Sequence, residues 1–70
     1  MEILNLSKLG CDIRMSREEL TMINNALNEI CNGIEIFEFE TRVGVTREFA
    51  GKLLESVGQT VNRWNSNARD

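Results

Sequence analysis

Cys11, Cys31, the carboxylates of Glu29, Glu35, Glu38 and Glu40, and Arg42 are the side chains whose types could carry chemistry. A cysteine nucleophile wants an adjacent base, and the sequence contains no His to serve as one. Two Cys without His fall short of the four ligands of a structural zinc site, so neither a metal nor a cofactor is expected. Both cysteines read as small buried hydrophobes in a reducing cytosol. Paired carboxylates can hydrolyse glycosides, but that reaction needs a cleft, and 70 residues leave little room for one. Acidic residues alternating with apolar ones, as in Glu35–Glu40, describe a solvated face. No phosphate-cradling glycine loop is present. No catalytic residue is assigned, and the chain is expected not to be an enzyme.

Arg42 lies between Phe39 and Val43, so its aliphatic stem is expected on apolar surface. Glu38 or Glu29 is its expected carboxylate partner, and recognition of an anionic partner is the other role open to it. Residues 39–54, F-E-T-R-V-G-V-T-R-E-F-A-G-K-L-L, have the spacing of a helix-turn-helix with Gly44 in the turn. Glu40 stands where the first helix of that motif usually has a small residue. The second helix presents Arg47, Glu48, Lys52 and Glu55, a face of mixed sign, where a DNA reader presents a basic patch. Residues 1–40 carry three basic and eight acidic side chains, and residues 41–70 five basic and three acidic. A net +2 in the second half is small beside the phosphates a DNA site neutralises. Nucleic-acid binding through 39–54 is therefore the alternative, and a corner between two helices the preferred reading.

These side chains must be positioned by a few short elements. Leu4 and Leu6 share one face of Glu2–Ser7, with Asn5 and Ser7 opposite, while Cys11, Ile13 and Met15 alternate with Asp12 and Arg14. Period-two patterning of this kind predicts two half-buried strands. Gly10, in the loop Lys8-Leu9-Gly10, suits a β-hairpin. Ser16 and Glu19 have the spacing of a capping box. Leu20, Ile23, Leu27, Ile30, Cys31 and Ile34 then follow at helical steps, predicting a helix over about 17–32 with Gly33 as a left-handed C-terminal cap. Residues 34–43 fit either a bulged strand or a short helix. Gly44, Val45 and Thr46 read as a stop, a staple residue and an N-cap, which favours a short helix near 37–43. The last helix is expected over about 47–63, with Phe49, Ala50, Leu53, Leu54, Val57, Val61 and Trp64 as its apolar stripe. Gly51 is expected to allow close packing on the first helix, and Gly58 to end or bend the last one.

Residues 13–34 and 38–54 together resemble a group of small uncharacterised bacterial proteins. Those share an A-L-N-E helix end running through a Cys to a Gly, and an E-F-x-T-R-x-G link before a last helix. The marked positions here are Asn28, Glu29, Gly33, Glu38, Phe39, Arg42 and Gly44. The resemblance implies a bacterial, free-standing domain and brings no activity with it.

The expected fold class is α+β: an N-terminal hairpin packed by a long helix, a short helix or turn, and a C-terminal helix. Residues 1–64 are expected to form one small domain and 65–70 a frayed polar tail. No apolar run approaches the ~18 residues of a membrane span, and Met1–Gly10 lacks the basic stretch and apolar core of a secretory signal. The expected location is cytoplasmic. A domain this small, without a disulfide framework or metal, commonly gains stability by self-association. Trp64 extends its stripe past the reach of the first helix, which makes Trp64, Val61 and Arg42 candidate interface residues. The leading functional expectation is a protein-interaction module, homodimeric or bound to a protein partner, of the small regulatory or immunity-adaptor kind.

Overall fold

The computed structural model describes residues 1–67. Strands β1 (Glu2–Ser7) and β2 (Gly10–Arg14) form an antiparallel hairpin closed by Lys8 and Leu9. Helix α1 (Arg17–Asn28) follows, then a π-helical turn (Glu29–Gly33), a short helix α2 (Phe39–Val43) and a long helix α3 (Arg47–Asn67). The architecture is the expected α+β arrangement of one hairpin followed by helices.

Local chemistry sets most boundaries. The Glu19 amide donates to Ser16 Oγ at 3.1 Å, and the Ser16 amide donates to the Glu19 carboxylate at 2.8 Å. The reciprocal pair satisfies two amides that the start of α1 leaves free. The Phe49 amide donates to Thr46 Oγ1 at 3.1 Å, a one-way cap at the start of α3, since Phe49 has no acceptor to reach back. Gly44 ends α2 at φ 94°, a conformation that favours glycine.

The end of α1 departs from expectation. Gly33 is not left-handed; the Ile34 amide reaches back to the Glu29 carbonyl at 2.9 Å and closes a wide turn, after which Ile34 is extended. A Cβ at position 33 would lie 2.5 Å from the Glu29 carboxyl group. Glycine there gives the folded-back Glu29 side chain its space. The left-handed residue is instead Glu38, at φ 54° and ψ 52°, immediately before α2.

Helices α1 and α3 pack side by side and antiparallel: Arg17 at the start of α1 meets Trp64 near the end of α3, and Asn24 lies 3.6 Å from the Cβ position of Gly58. Gly58 is thus the glycine at the helix contact, and α3 runs through it unbroken; Gly51 faces open space. The helix also continues past residue 64, so Asn65–Asn67 are helical and not frayed. The rest of the expected tail, 68–70, lies outside the described residues.

Among the described residues only Phe39 and Ala50 are buried apolar side chains. The seam between the helices, with Leu20, Ile23 and Leu27 of α1 and Ile30 of the π turn on one side and Leu54, Val57, Val61 and Trp64 of α3 on the other, is half-buried throughout. The hairpin is less covered than expected, because every residue of both strands is exposed. Its base is tied to α1 by the Met1 α-amino group, 2.6 Å from the Glu19 carboxylate. Cys11, expected inside, is consequently exposed, and Cys31, on the π turn, is half-buried.

Candidate functional site

Two regions compete as a site: the corner where α2 meets α3, and the apolar surface that the fold leaves open. At the corner, the chain arrives extended through Ile34, turns at left-handed Glu38 and buries Phe39. Arg47, the first residue of α3, folds back over it. Its guanidinium lies 4.6 Å from the Phe39 ring centroid, and Nη2 donates to the Ile36 carbonyl at 2.9 Å. A planar cation over a ring, with one hydrogen bond to the incoming backbone, clamps the segment onto α3. Residues Glu35–Phe39 and Arg47 enclose a hollow of about 500 Å³ beside this clamp.

Arg42 does not play that part. Its side chain is exposed, and among the described residues no ion pair joins it to Glu38, Glu29 or another carboxylate. The reason is geometric. Arg42 sits in the last turn of a five-residue helix, and it is Arg47 that lies over Phe39 and bonds the Ile36 carbonyl. Sequence reasoning missed Arg47 because it was assigned to the outer face of α3. The signal was there, since the first residue of a helix lies beside whatever the preceding turn brings back.

Trp64 and Val61 are one helical turn apart on α3, half-buried against α1. The guanidinium of Arg17 covers part of the Trp64 ring at 5.6 Å from its centroid. The stripe therefore does not outrun α1, because the antiparallel pairing places the first turn of α1 beside Trp64. Arg42 is near the opposite end of α3, about 25 Å away along a rise of 1.5 Å per residue. The three candidate interface residues do not share one surface.

The cations at the start of α3 are engaged within the chain. Arg47 is clamped on Phe39, and Lys52 lies 3.4 Å from Glu48 one turn earlier. One acid is strongly perturbed: the Met1 ammonium, and then the Ser16 amide, hold the Glu19 carboxyl at about 2 against an ordinary 4.5. Both partners favour its charged form. It is a folding contact at the base of the hairpin, remote from the corner. Among the described residues no group of three His, Cys, Asp or Glu side chains is placed to hold a metal ion, and no helix is long and apolar enough to cross a membrane.

The open surface is the larger feature. Ile3, Leu4, Leu6, Leu9 and Ile13 of the hairpin, Met22 of α1, Ile34 and Phe37 of the linking segment, and Phe49 and Leu53 of α3 are all exposed. Single exposed apolar residues are ordinary; here eleven large ones are exposed among the described residues of a 70-residue chain, six of them within residues 1–13. No family model, curated protein or solved structure matches the chain.

Proposed function

We propose that this chain is a non-enzymatic protein-interaction module that works as a homodimer, a small cytoplasmic adaptor of the regulatory or immunity kind. The observation that carries the proposal is a missing layer. Domains bury their apolar faces between two packed layers. Here the accessible surface is 5932 Å² for 8.0 kDa, whereas a folded monomer of that mass exposes about 4,450 Å². The excess, roughly 1,500 Å², is more than the ~800 Å² that each partner contributes to a standard interface. The shape agrees: the radius of gyration is 13.9 Å and the thinnest dimension 17 Å, against about 11 Å for the radius of a compact 70-residue domain. A second copy supplies the layer that one copy lacks.

The kinship with small bacterial proteins belongs to the same proposal. Glu38 and Gly44, two of its marked positions, are the two left-handed residues that bracket α2, which gives the shared link a geometric reason. Engagement of Arg47 and Lys52 inside the chain favours this reading over nucleic-acid binding. Sedimentation at micromolar concentration tests it. The expected result is a species of twice the 8.0 kDa chain mass. A chain that stays single at every concentration, or one that binds DNA with steep salt dependence, overturns it.

A further inference from the structure

Each face of the hairpin has a single character. Ile3 pairs with Ile13 and Leu6 with Cys11 across the strands, and these four side chains share one face. Glu2 with Arg14 and Asn5 with Asp12 occupy the other. An irregularity between Ile3 and Asn5 produces this separation. Strict alternation puts Leu4 beside Leu6 and turns Ile3 away; one extra residue in β1 returns Ile3 to the face of Leu6. The result is an apolar face that no helix covers, with Ile3 59%, Leu6 70% and Ile13 39% exposed.

We infer that this face, formed by Ile3, Leu6, Cys11 and Ile13, is where a second copy seats, hairpin against hairpin about a two-fold axis. The inference rests on the homodimer reading above and names its surface. A two-stranded hairpin is marginal in water unless its apolar face is packed, and here the rest of the chain does not pack it. Six of the eleven large apolar side chains left exposed among the described residues fall within residues 1–13, so the surplus surface is concentrated on this element.

Charge selects the occupant. The chain carries −3 overall, yet Glu2, Asp12 and Arg14 all lie on the far face, with Glu2 and Arg14 paired at 3.3 Å. Two copies can therefore meet without opposing like charges. A strongly acidic or basic partner finds no charge to pair with on this face. An apolar face that is its own complement is what a two-fold contact requires. Stacked sheets lie about 10 Å apart, which brings the two Cys11 side chains within one short cross-link.

The test uses the full chain. Leu6→Asp and Ile13→Asp place a carboxylate in the contact, while the helices, joined to the hairpin only at its base, keep their far-UV circular dichroism. Sedimentation is expected to show self-association weakened at least a hundredfold in both variants. Phe37→Ser, on a different surface, is expected to associate like the unmodified chain. The unmodified chain is also treated with a bismaleimide of about 10 Å span, and the cross-link mapped. A Cys11–Cys11 product is expected, and it reports the face even where a variant fails to fold. A Cys11–Cys31 product joining two different chains, told from one within a chain by mixing isotope-labelled and unlabelled protein, places the hairpin on the partner's helices and overturns the inference, as does the absence of any Cys11 product in a dimeric sample. If the unmodified chain is single at every concentration, the homodimer reading fails and this one with it. If both Asp variants still associate, only the face is wrong.

Discussion

Replacing Arg47 by Ala is the sharpest probe of the folded corner. The guanidinium lies 4.6 Å from the Phe39 centroid and donates to Ile36 at 2.9 Å. Phe39 is 6% exposed and one of two buried apolar side chains among the described residues, so what covers its ring matters to the core. A cation–π contact contributes about 0.5–2 kcal/mol according to its exposure, and the hydrogen bond a net ~0.5–1.5 kcal/mol. Arg47 is itself exposed, which selects the lower half of each range. The expected loss is about 1–2 kcal/mol, or a drop in Tm of roughly 5–15 °C for a domain of this size. Arg47→Lys keeps the charge but loses the planar stack, so about half of that loss is expected. Arg42→Ala removes an exposed side chain without an ion pair, and its effect is expected within about 0.5 kcal/mol. Thermal unfolding followed by far-UV circular dichroism, with all variants at one chain concentration, measures the three together. An Arg47→Ala chain as stable as the parent, or an Arg42→Ala chain less stable than Arg47→Ala, refutes the assignment of the clamp.

The capping box gives a prediction with a pH signature. Ser16→Ala is expected to cost about 1 kcal/mol. The Glu19 carboxyl is lowered to about 2 from 4.5, so its contribution is complete above pH 4.5 and is lost as pH falls toward 2. Glu19→Gln is expected to remove that part of the acid transition of helicity, and an unchanged acid profile contradicts it. Gly51→Ala is expected to raise stability by up to about 1 kcal/mol, because the position is helical and a Cβ there meets nothing within 4 Å. A fall in Tm places Gly51 in a contact that this chain alone does not make.

What the sequence displayed clearly was chemistry settled within a few residues. Ser16 with Glu19, Thr46 with Phe49 and Gly44 fall where spacing put them, because each satisfies amides or torsions of its own neighbours; the hairpin is also where alternation placed it, but Lys8 and Leu9 alone make its turn, and Gly10, expected in the loop, already belongs to β2 and is not left-handed. Errors arose where a choice depends on another element. Proximity along the chain points to Arg42 as the neighbour of Phe39, whereas the left-handed turn at Glu38 brings the segment to the start of α3, where Arg47 covers the ring. Gly51 and Gly58 are equivalent in the helical pattern, and only the antiparallel pairing with α1 shows that Gly58 faces Asn24. Trp64 was placed beyond α1 by comparing lengths, and the same pairing puts Arg17 over its ring.

The bulge at Leu4 is the most instructive of these departures, since it changes which side chains of the hairpin share a face. Alternation makes Leu4 and Leu6 the buried pair and implies that the helices of the same chain cover them. With one residue inserted, Ile3, Leu6, Cys11 and Ile13 align, and Leu4 leaves the set. A register shift of one residue exchanges the two faces of a strand, and a bulge makes that exchange locally in one strand of the pair. Among the described residues its members stay exposed: the helices pack on each other, and an ion pair ties the base of the hairpin to α1. The cross-strand pairing is nevertheless specific, with polar partners matched on one face and apolar partners on the other. Among the described residues the exposed apolar side chains are therefore concentrated on the hairpin and not on the corner around Arg47, where the guanidinium already covers the Phe39 ring and bonds the Ile36 carbonyl.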